Sequence, residues 1–257
     1  KAALSLLSTG ILNLEENEKI EDVISELSDE KIEELAMYLS QSNILKDSLN
    51  NVIDKLVSAE VDEDGNVIKE GLLGDIVVKG FNSSSEWTEE EICSIFKGLS
   101  VILKAGIIDS EDYIQTLSEL NDETIETLAS SLSNSKFIKQ NLSEFLKMLL
   151  EEMQTGDSDF TPEVWEEDEW TELELTSIFK AFKEIASSGL LDEGSTDAIQ
   201  QLSDKQIDDL STYISSSKFL TKNLTPIMDM LLGSMDLGNI EIKGFEDSSK
   251  WTKQEIP

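Results

Sequence analysis

The stretch Glu86-Trp87-Thr88-Glu89-Glu90-Glu91-Ile92 predicts the start of an α-helix. Thr88 is followed three residues later by Glu91, which is the spacing of a capping box, where each side chain accepts from the other residue's free backbone N–H. Trp87 stands just before the cap, where a hydrophobic staple packs on the first turn. An apolar stripe with helical spacing then runs to Gly106, where we expect the helix to end. The stripe consists of Ile92, Ile95, Phe96, Leu99, Ile102 and Leu103.

This Trp-Thr-x-x-Glu pattern returns twice further along the chain, in steps of 83 and 81 residues. The later copies are Trp170, Thr171 and Glu174, and then Trp251, Thr252 and Glu255. A second anchor, Leu27 to Ile32, returns in steps of 93 and 82 residues, at Leu120 to Ile125 and at Leu202 to Ile207. Two anchors in register predict tandem repeats.

We expect the 257 residues to be a window on a longer array of such repeats. The predicted boundaries are residues 1–86 for a first repeat that lacks its N-terminal part, 87–169 for the second, 170–250 for the third, and 251–257 for the start of a fourth. The three tryptophans and their Thr and Glu partners are interpreted as structural anchors of these repeats.

Each repeat is predicted to be a bundle of four or five helices. After the Trp-Thr helix comes a short helix, near residues 18–27, 111–120 and 195–202, and then a third helix capped by Ser28, Asn121 or Ser203. Thr225-Pro226 resembles a helix start, so the last helical segment is expected to be two helices that meet at a bend near residues 50, 143 and 225. A short strand-like connector, such as Gly74 to Phe81, leads to the next Trp. The predicted fold class is therefore mainly α, an elongated array of repeats of about 82–93 residues.

The first repeat carries an insertion with a turn signal near residues 60–70. Asp64-Gly65 lies between apolar positions and favours a β-hairpin. The same loop offers Glu60, Asp62, Asp64 and Asn66 as calcium ligands, in partial agreement with an EF-hand loop. Position 12 of that loop, which must be a bidentate Glu, is Gly71. A plain hairpin is therefore the favoured interpretation, and a calcium site is the alternative.

The charge balance excludes several classes of function. The chain has 54 acidic and 20 basic residues, all of the latter lysine, and a formal net charge of −34, with no histidine. Such a polyanion is repelled by nucleic acid and by anionic membranes. The absence of His and Arg removes the commonest general base and the bidentate phosphate clamp. We therefore expect no enzyme activity, no catalytic or cofactor-binding residues, and no cofactor apart from the calcium alternative.

Repeats that keep their apolar register and caps are typical of a protein that supplies shape. The lysine-only composition, rich in Ile, Asn and Glu, resembles that of helical repeats in very large surface proteins of low-GC Gram-positive and mollicute-type bacteria, over the helical units only. The leading hypothesis is a structural stalk, spacer or fibre segment of an extracellular or cell-surface protein. Its expected partners are neighbouring repeats, a second copy or another protein. The alternative hypothesis is a cytoplasmic protein-binding scaffold that responds to calcium.

Overall fold

The structure, a computed structural model, is predominantly α-helical and describes nine stretches of the chain. These stretches are residues 20–57, 60–61, 67–69, 78–107, 113–152, 169–190, 202–225, 227–228 and 252–253. The helical content confirms the mainly α class. The helices are α1 (Ile20–Ser25), α2 (Asp29–Ser40), α3 (Asn43–Val57), α4 (Glu89–Lys104), α5 (Tyr113–Glu119), α6 (Asp122–Asn134), α7 (Lys136–Glu152), α8 (Glu172–Ser187), α9 (Asp204–Ser216) and α10 (Lys218–Lys222).

The chain divides into two compact units. Unit 1 consists of Lys1–Asp109 and Ser130–Phe145, and unit 2 of Ser110–Ala129 and Leu146–Pro257. In unit 1, α1 and α2 pack against α4, whose whole apolar stripe from Ile92 to Leu103 is buried. In unit 2, α5 and α9 pack against α8, which buries Leu175, Ile178, Phe179, Phe182 and Ile185. A Trp-Thr helix therefore lies in the core of each unit.

Both of these helices end at a glycine with positive φ, as the sequence predicts. Gly106 has a φ of 69° and Gly189 a φ of 70°. After α4, Ile107 N donates to Ile102 O at 3.2 Å and Gly106 N donates to Leu103 O at 3.0 Å. These two bonds form a Schellman motif, which satisfies carbonyl groups that the helix end leaves without an intrahelical donor.

The predicted bend in the last helical segment is wrong for the first two repeats. The helix α3 runs through residue 50 and α7 runs through residue 143 without interruption. Only α10 stops early, at Lys222, and a new turn begins with Ile227 N donating to Asn223 O at 3.0 Å. Pro226 has no N–H to donate to the carbonyl of Lys222 four residues earlier, and in a continuous helix its ring would clash with that carbonyl. Asn51 and Glu144 at the aligned positions let the helix continue.

The insertion in the first repeat contains a pair of short antiparallel strands, β1 (Glu60–Val61) and β2 (Val67–Lys69). Glu60 pairs with Lys69 and Val61 with Val67. The predicted turn residues Asp64 and Gly65 lie outside the described residues.

The described end of the first connector, residues 78–81, is not a strand, in contrast to the sequence prediction. It is held instead by two asparagine side chains. Asn141 accepts from Lys79 N at 2.6 Å and donates to Lys79 O at 3.1 Å. Asn50 accepts from Phe81 N at 3.2 Å and donates to Phe81 O at 2.7 Å. Each amide therefore supplies the donor and acceptor that a neighbouring strand would offer.

Candidate functional site

The most distinctive polar site of the molecule lies where each Trp-Thr helix begins. Thr88 and Thr171 are the N-caps of α4 and α8, and their hydroxyls accept from Glu91 N at 3.1 Å and from Glu174 N at 3.2 Å. The predicted capping box is nevertheless incomplete, because neither carboxylate bonds back to the threonine N–H. Thr88 N donates instead to Glu86 O at 2.9 Å.

The Glu91 carboxylate caps a different helix. It accepts from Lys136 N and from Phe137 N, both at 2.9 Å, and from the Ser135 hydroxyl. Glu91 is only 6% exposed. A buried carboxylate is stable only when hydrogen bonds replace its lost hydration, and the first turn of α7 supplies donors together with the positive end of the helix dipole.

The Glu174 carboxylate makes the same contacts in unit 2. It accepts from Lys218 N at 3.1 Å, from Phe219 N at 2.8 Å and from the Ser217 hydroxyl, and Glu174 is 5% exposed. The helix that it caps is α10. The two buried glutamates therefore cap helix starts in the same way. The residues that each one contacts lie 44 to 46 positions after Glu91 and 43 to 45 positions after Glu174 in the sequence.

The serine of each cap completes the first turn. Ser135 accepts from Ile138 N at 3.0 Å through its hydroxyl and from Lys139 N at 3.0 Å through its carbonyl. Ser217 does the same for Leu220 N and Thr221 N, at 2.9 and 3.0 Å. Glutamate and serine side chains together satisfy three of the four N–H groups that a helix start leaves without an intrahelical acceptor. The fourth is the N–H of the serine itself, which donates to Leu132 O at 3.3 Å before α7 and to Ile214 O at 3.2 Å before α10.

The tryptophans pack beside these caps. The Trp87 ring is buried, with ring centroids of Phe81 at 4.7 Å and Phe137 at 5.4 Å, and its Nε1 donates to Asn50 Oδ1 at 3.1 Å. Trp170 is equally buried, and its centroid lies 5.5 Å from that of Phe219. Each indole therefore covers the phenylalanine whose N–H the glutamate holds.

Lysines join the helices at the surface of each unit. In unit 1, Lys136 Nζ lies 2.7 Å from Glu86 Oε2, and this hydrogen bond lowers the pKa of the Glu86 carboxyl. In unit 2, Lys183 Nζ lies 3.1 Å from Asp122 Oδ1, and its hydrogen bond lowers the pKa of Asp122. Lys180 lies 2.9 Å from Glu126. Exposed pairs of this kind contribute little stability singly.

The remaining predicted site residues are only partly placed. Thr252 is exposed, whereas Trp251 and Glu255 lie outside the described residues, as do Asp62, Asp64 and Asn66 of the calcium alternative. The backbone of Glu60 belongs to β1. Across the described stretches no group of three or more Cys, Asp or Glu side chains is arranged to hold a metal ion.

Sequence reasoning missed three groups that matter here. Asn50 and Asn141 hold the connector, and Ser135 with its equivalent Ser217 receives the glutamate. Asn141 and Asn223 also lie in Asn-x-Ser/Thr sequons, but both are buried. The aligned Ser-Lys-Phe tripeptides at 135–137 and 217–219 are the one signal in the sequence that could have identified the cap.

Comparisons of the chain with family models, curated proteins and solved structures give no match. Among the described helices, none is both long and apolar enough to cross a membrane.

Proposed function

We propose that this chain is a structural segment built of tandem helical repeats, which serves as a stalk, spacer or fibre in an extracellular or cell-surface protein. The proposal rests mainly on one observation, which is that Glu91 and Glu174 make matching hydrogen bonds to equivalent helix starts. Both carboxylates are buried and fully used in joining one helix to the start of another. The two buried glutamates, Glu91 and Glu174, therefore support a structural role, because their carboxylates hold helices together.

The equivalent helices support the repeat assignment. The helices α2, α6 and α9 begin at Asp29, Asp122 and Asp204, in the same steps of 93 and 82 residues as the sequence anchors. The starts of α4 and α8 are 83 residues apart. In a repeat array each unit contacts its neighbours and the copy number sets the length, which suits a spacer.

The charge of −34 fits the same role. Like-charged segments repel one another and remain soluble, and the repulsion favours an extended array. An extracellular or surface position and the absence of an enzymatic role are parts of this proposal.

Small-angle X-ray scattering tests the proposal against the scaffold alternative. The expected result is an elongated particle whose dimensions are equal in calcium, in magnesium at the same ionic strength, and in a chelator. A globular particle would contradict the proposal. A sharp contraction that occurs in calcium and is absent in magnesium would favour the calcium-responsive scaffold.

A further inference from the structure

Every lysine of the Trp-Thr helix α4 contacts the part of the chain that we assign to the preceding repeat. The helix contains two lysines, Lys97 and Lys104. Lys97 Nζ lies 2.8 Å from Glu33 Oε1 on α2, and Lys104 Nζ donates to Leu27 O at 3.3 Å, just before α2 begins. Both lysines of α4 are therefore used on the helix that precedes it in the fold of unit 1.

The two lysines of α8 are used in the same way in unit 2. Lys180 Nζ lies 2.9 Å from Glu126 Oε1, and Lys183 Nζ lies 3.1 Å from Asp122 Oδ1, both on α6. Lys180 and Glu126 align with the first pair of α4, in the steps of 83 and 93 residues that relate the sequence anchors. The chain has only 20 lysines among 257 residues, so this use of all four is not the result of a lysine-rich surface.

Charge is distributed unevenly along both kinds of helix. The third helices α2 and α6 have all their acidic residues in their first half, which are Asp29, Glu30, Glu33 and Glu34 in α2 and Asp122, Glu123 and Glu126 in α6. The Trp-Thr helices have glutamates in their first turn and lysines in their second half, where Glu184 is the one acidic residue of either helix. The acidic half of a third helix therefore matches only the second half of a Trp-Thr helix.

This match is the antiparallel arrangement that the structure shows. In unit 2 the later lysine, Lys183, contacts the earlier acidic residue, Asp122, whereas Lys180 contacts the later one, Glu126. A parallel arrangement would bring the glutamates of the first turn of α8 beside the acidic half of α6. Like charges placed together disfavour a wrong pairing more than a correct ion pair stabilises the right one.

The buried side chains do not make this distinction. The third helices bury Ile and Leu at helical spacing, which are Ile32, Leu35 and Leu39 in α2 and Ile125, Leu128 and Leu132 in α6. Such a stripe has nearly the same shape in either direction along the helix, and the burial of apolar area is non-directional. Orientation therefore needs a second, polar determinant.

We propose that the lysines of the Trp-Thr helices are specificity-determining residues, which set the antiparallel orientation and the register in which each repeat packs on the one before it. The chemical partner of each lysine is the acidic first half of the preceding third helix. Exposed ion pairs add little stability, so the pairs act chiefly by disfavouring wrong arrangements. This inference rests on the proposed function, because it treats the two units as equivalent repeats.

Charge exchange in the whole chain tests the inference. Lys97→Glu brings a like charge to Glu33. After refolding from urea, hydrogen exchange of residues 29–40, measured by mass spectrometry, should become about fivefold faster and show a second, less protected population. Adding Glu33→Lys should restore one population with the parental exchange rate. Combining Lys97→Glu with Glu126→Lys gives the same composition and net charge but two repulsive contacts, so it should not restore the parental exchange.

The matched control is Lys205→Glu, which makes the same charge change in the pair that Lys205 forms with Asp209 within α9. It should leave residues 29–40 in one population. Equal exchange in the two double variants overturns the inference, as does faster exchange of Lys97→Glu within a single population, which would mean that the pair stabilises without selecting. These results in a chain that is elongated in scattering refute only the inference. A globular particle whose exchange is restored by Glu33→Lys refutes only the stalk, spacer or fibre.

Discussion

The helix caps made by Glu91 and Glu174 are equal contact for contact, although the segments around them differ. The helix that Glu91 caps has 17 residues, and the helix that Glu174 caps has 5. The sequence before Trp87 is Gly80-Phe81 followed by a run of serines, whereas the stretch from Pro162 to Trp170 contains Trp165 and five acidic residues. The cap therefore depends on the Trp-Thr-x-x-Glu segment and the Ser-Lys-Phe tripeptide, and tolerates change in the connector and in the helix that follows.

The largest expected effect comes from removing the carboxylate. Glu91→Ala should destabilise unit 1 by about 3 kcal/mol, because three charge-assisted hydrogen bonds are lost and the buried Phe137 N and the part-buried Lys136 N lose their acceptor. Glu174→Ala should cost the same in unit 2. Hydrogen exchange measured by mass spectrometry in peptides covering 136–142 and 218–224 reports each helix start separately.

The control for that pair is Glu90→Ala, an exposed neighbour in the same first turn, which should change stability by less than about 0.5 kcal/mol. Costs that differ by more than about 1 kcal/mol between Glu91→Ala and Glu174→Ala would show that the two caps are not equivalent.

The second-largest loss of stability is expected from replacing Asn50, and it should be confined to unit 1. Asn50→Ala removes three hydrogen bonds, to Phe81 N, Phe81 O and Trp87 Nε1, and should cost about 2 kcal/mol. Thermal denaturation followed by circular dichroism measures this loss. Ser48→Ala, an exposed position on α3 whose hydroxyl donates to Ile44 O, is the matched control and should be nearly neutral. Equal melting of the Asn50 variant and the parent would mean that the connector does not depend on this amide.

A smaller and equal effect is expected at the two helix ends. Gly106→Ala and Gly189→Ala place a Cβ at φ values of 69° and 70° and should each cost about 1 kcal/mol. The penalty at Gly106 is conformational, because no heavy atom lies within 4 Å of the added Cβ. Gly106→Asn should cost less than Gly106→Ala in urea denaturation, since asparagine tolerates the left-handed region. The reverse order would contradict this cause.

The smallest expected effect is a gain in thermal stability, from replacing Glu184. Partial burial raises the pKa of Glu184 above its ordinary 4.5, and Asp209 adds to the rise. A raised carboxyl pKa means that folding disfavours the charged form, so stability falls as the pH rises through that pKa. Glu184→Gln should raise the melting temperature at neutral pH, on the order of 1 °C after solvent screening. The gain should vanish well below pH 4.5, where Glu184 is protonated in both states; a gain that persists there would have another origin.

Features that depend on neighbouring residues were predictable from the sequence. The Thr88 cap, the buried stripe of α4 and the positive φ of Gly106 follow from side-chain type and spacing. The partner of Glu91 was not predictable, because a carboxylate three residues after a Thr can also bond across the fold. Ser203 and Gln206 form the reciprocal capping box at the exposed start of α9.

The same limit applies to the connector and to the last helix. The run from Gly74 to Phe81 has the composition of a strand, but its described end, residues 78–81, meets the amides of Asn50 and Asn141. The bend predicted from Thr225-Pro226 applies to the third repeat only. The proline causes the break, and the aligned residues in the other two repeats are not proline.

The long sequence span of the glutamate cap has a consequence for folding kinetics. Glu91 meets α7 only after a loop of 44 to 46 residues has closed. Closing such a loop costs chain entropy before its contacts form, so the cap raises the contact order of an otherwise local helical fold. Helices such as α2 and α4 can form early from local interactions, whereas the cap can form only once the first and last helices of a repeat have met.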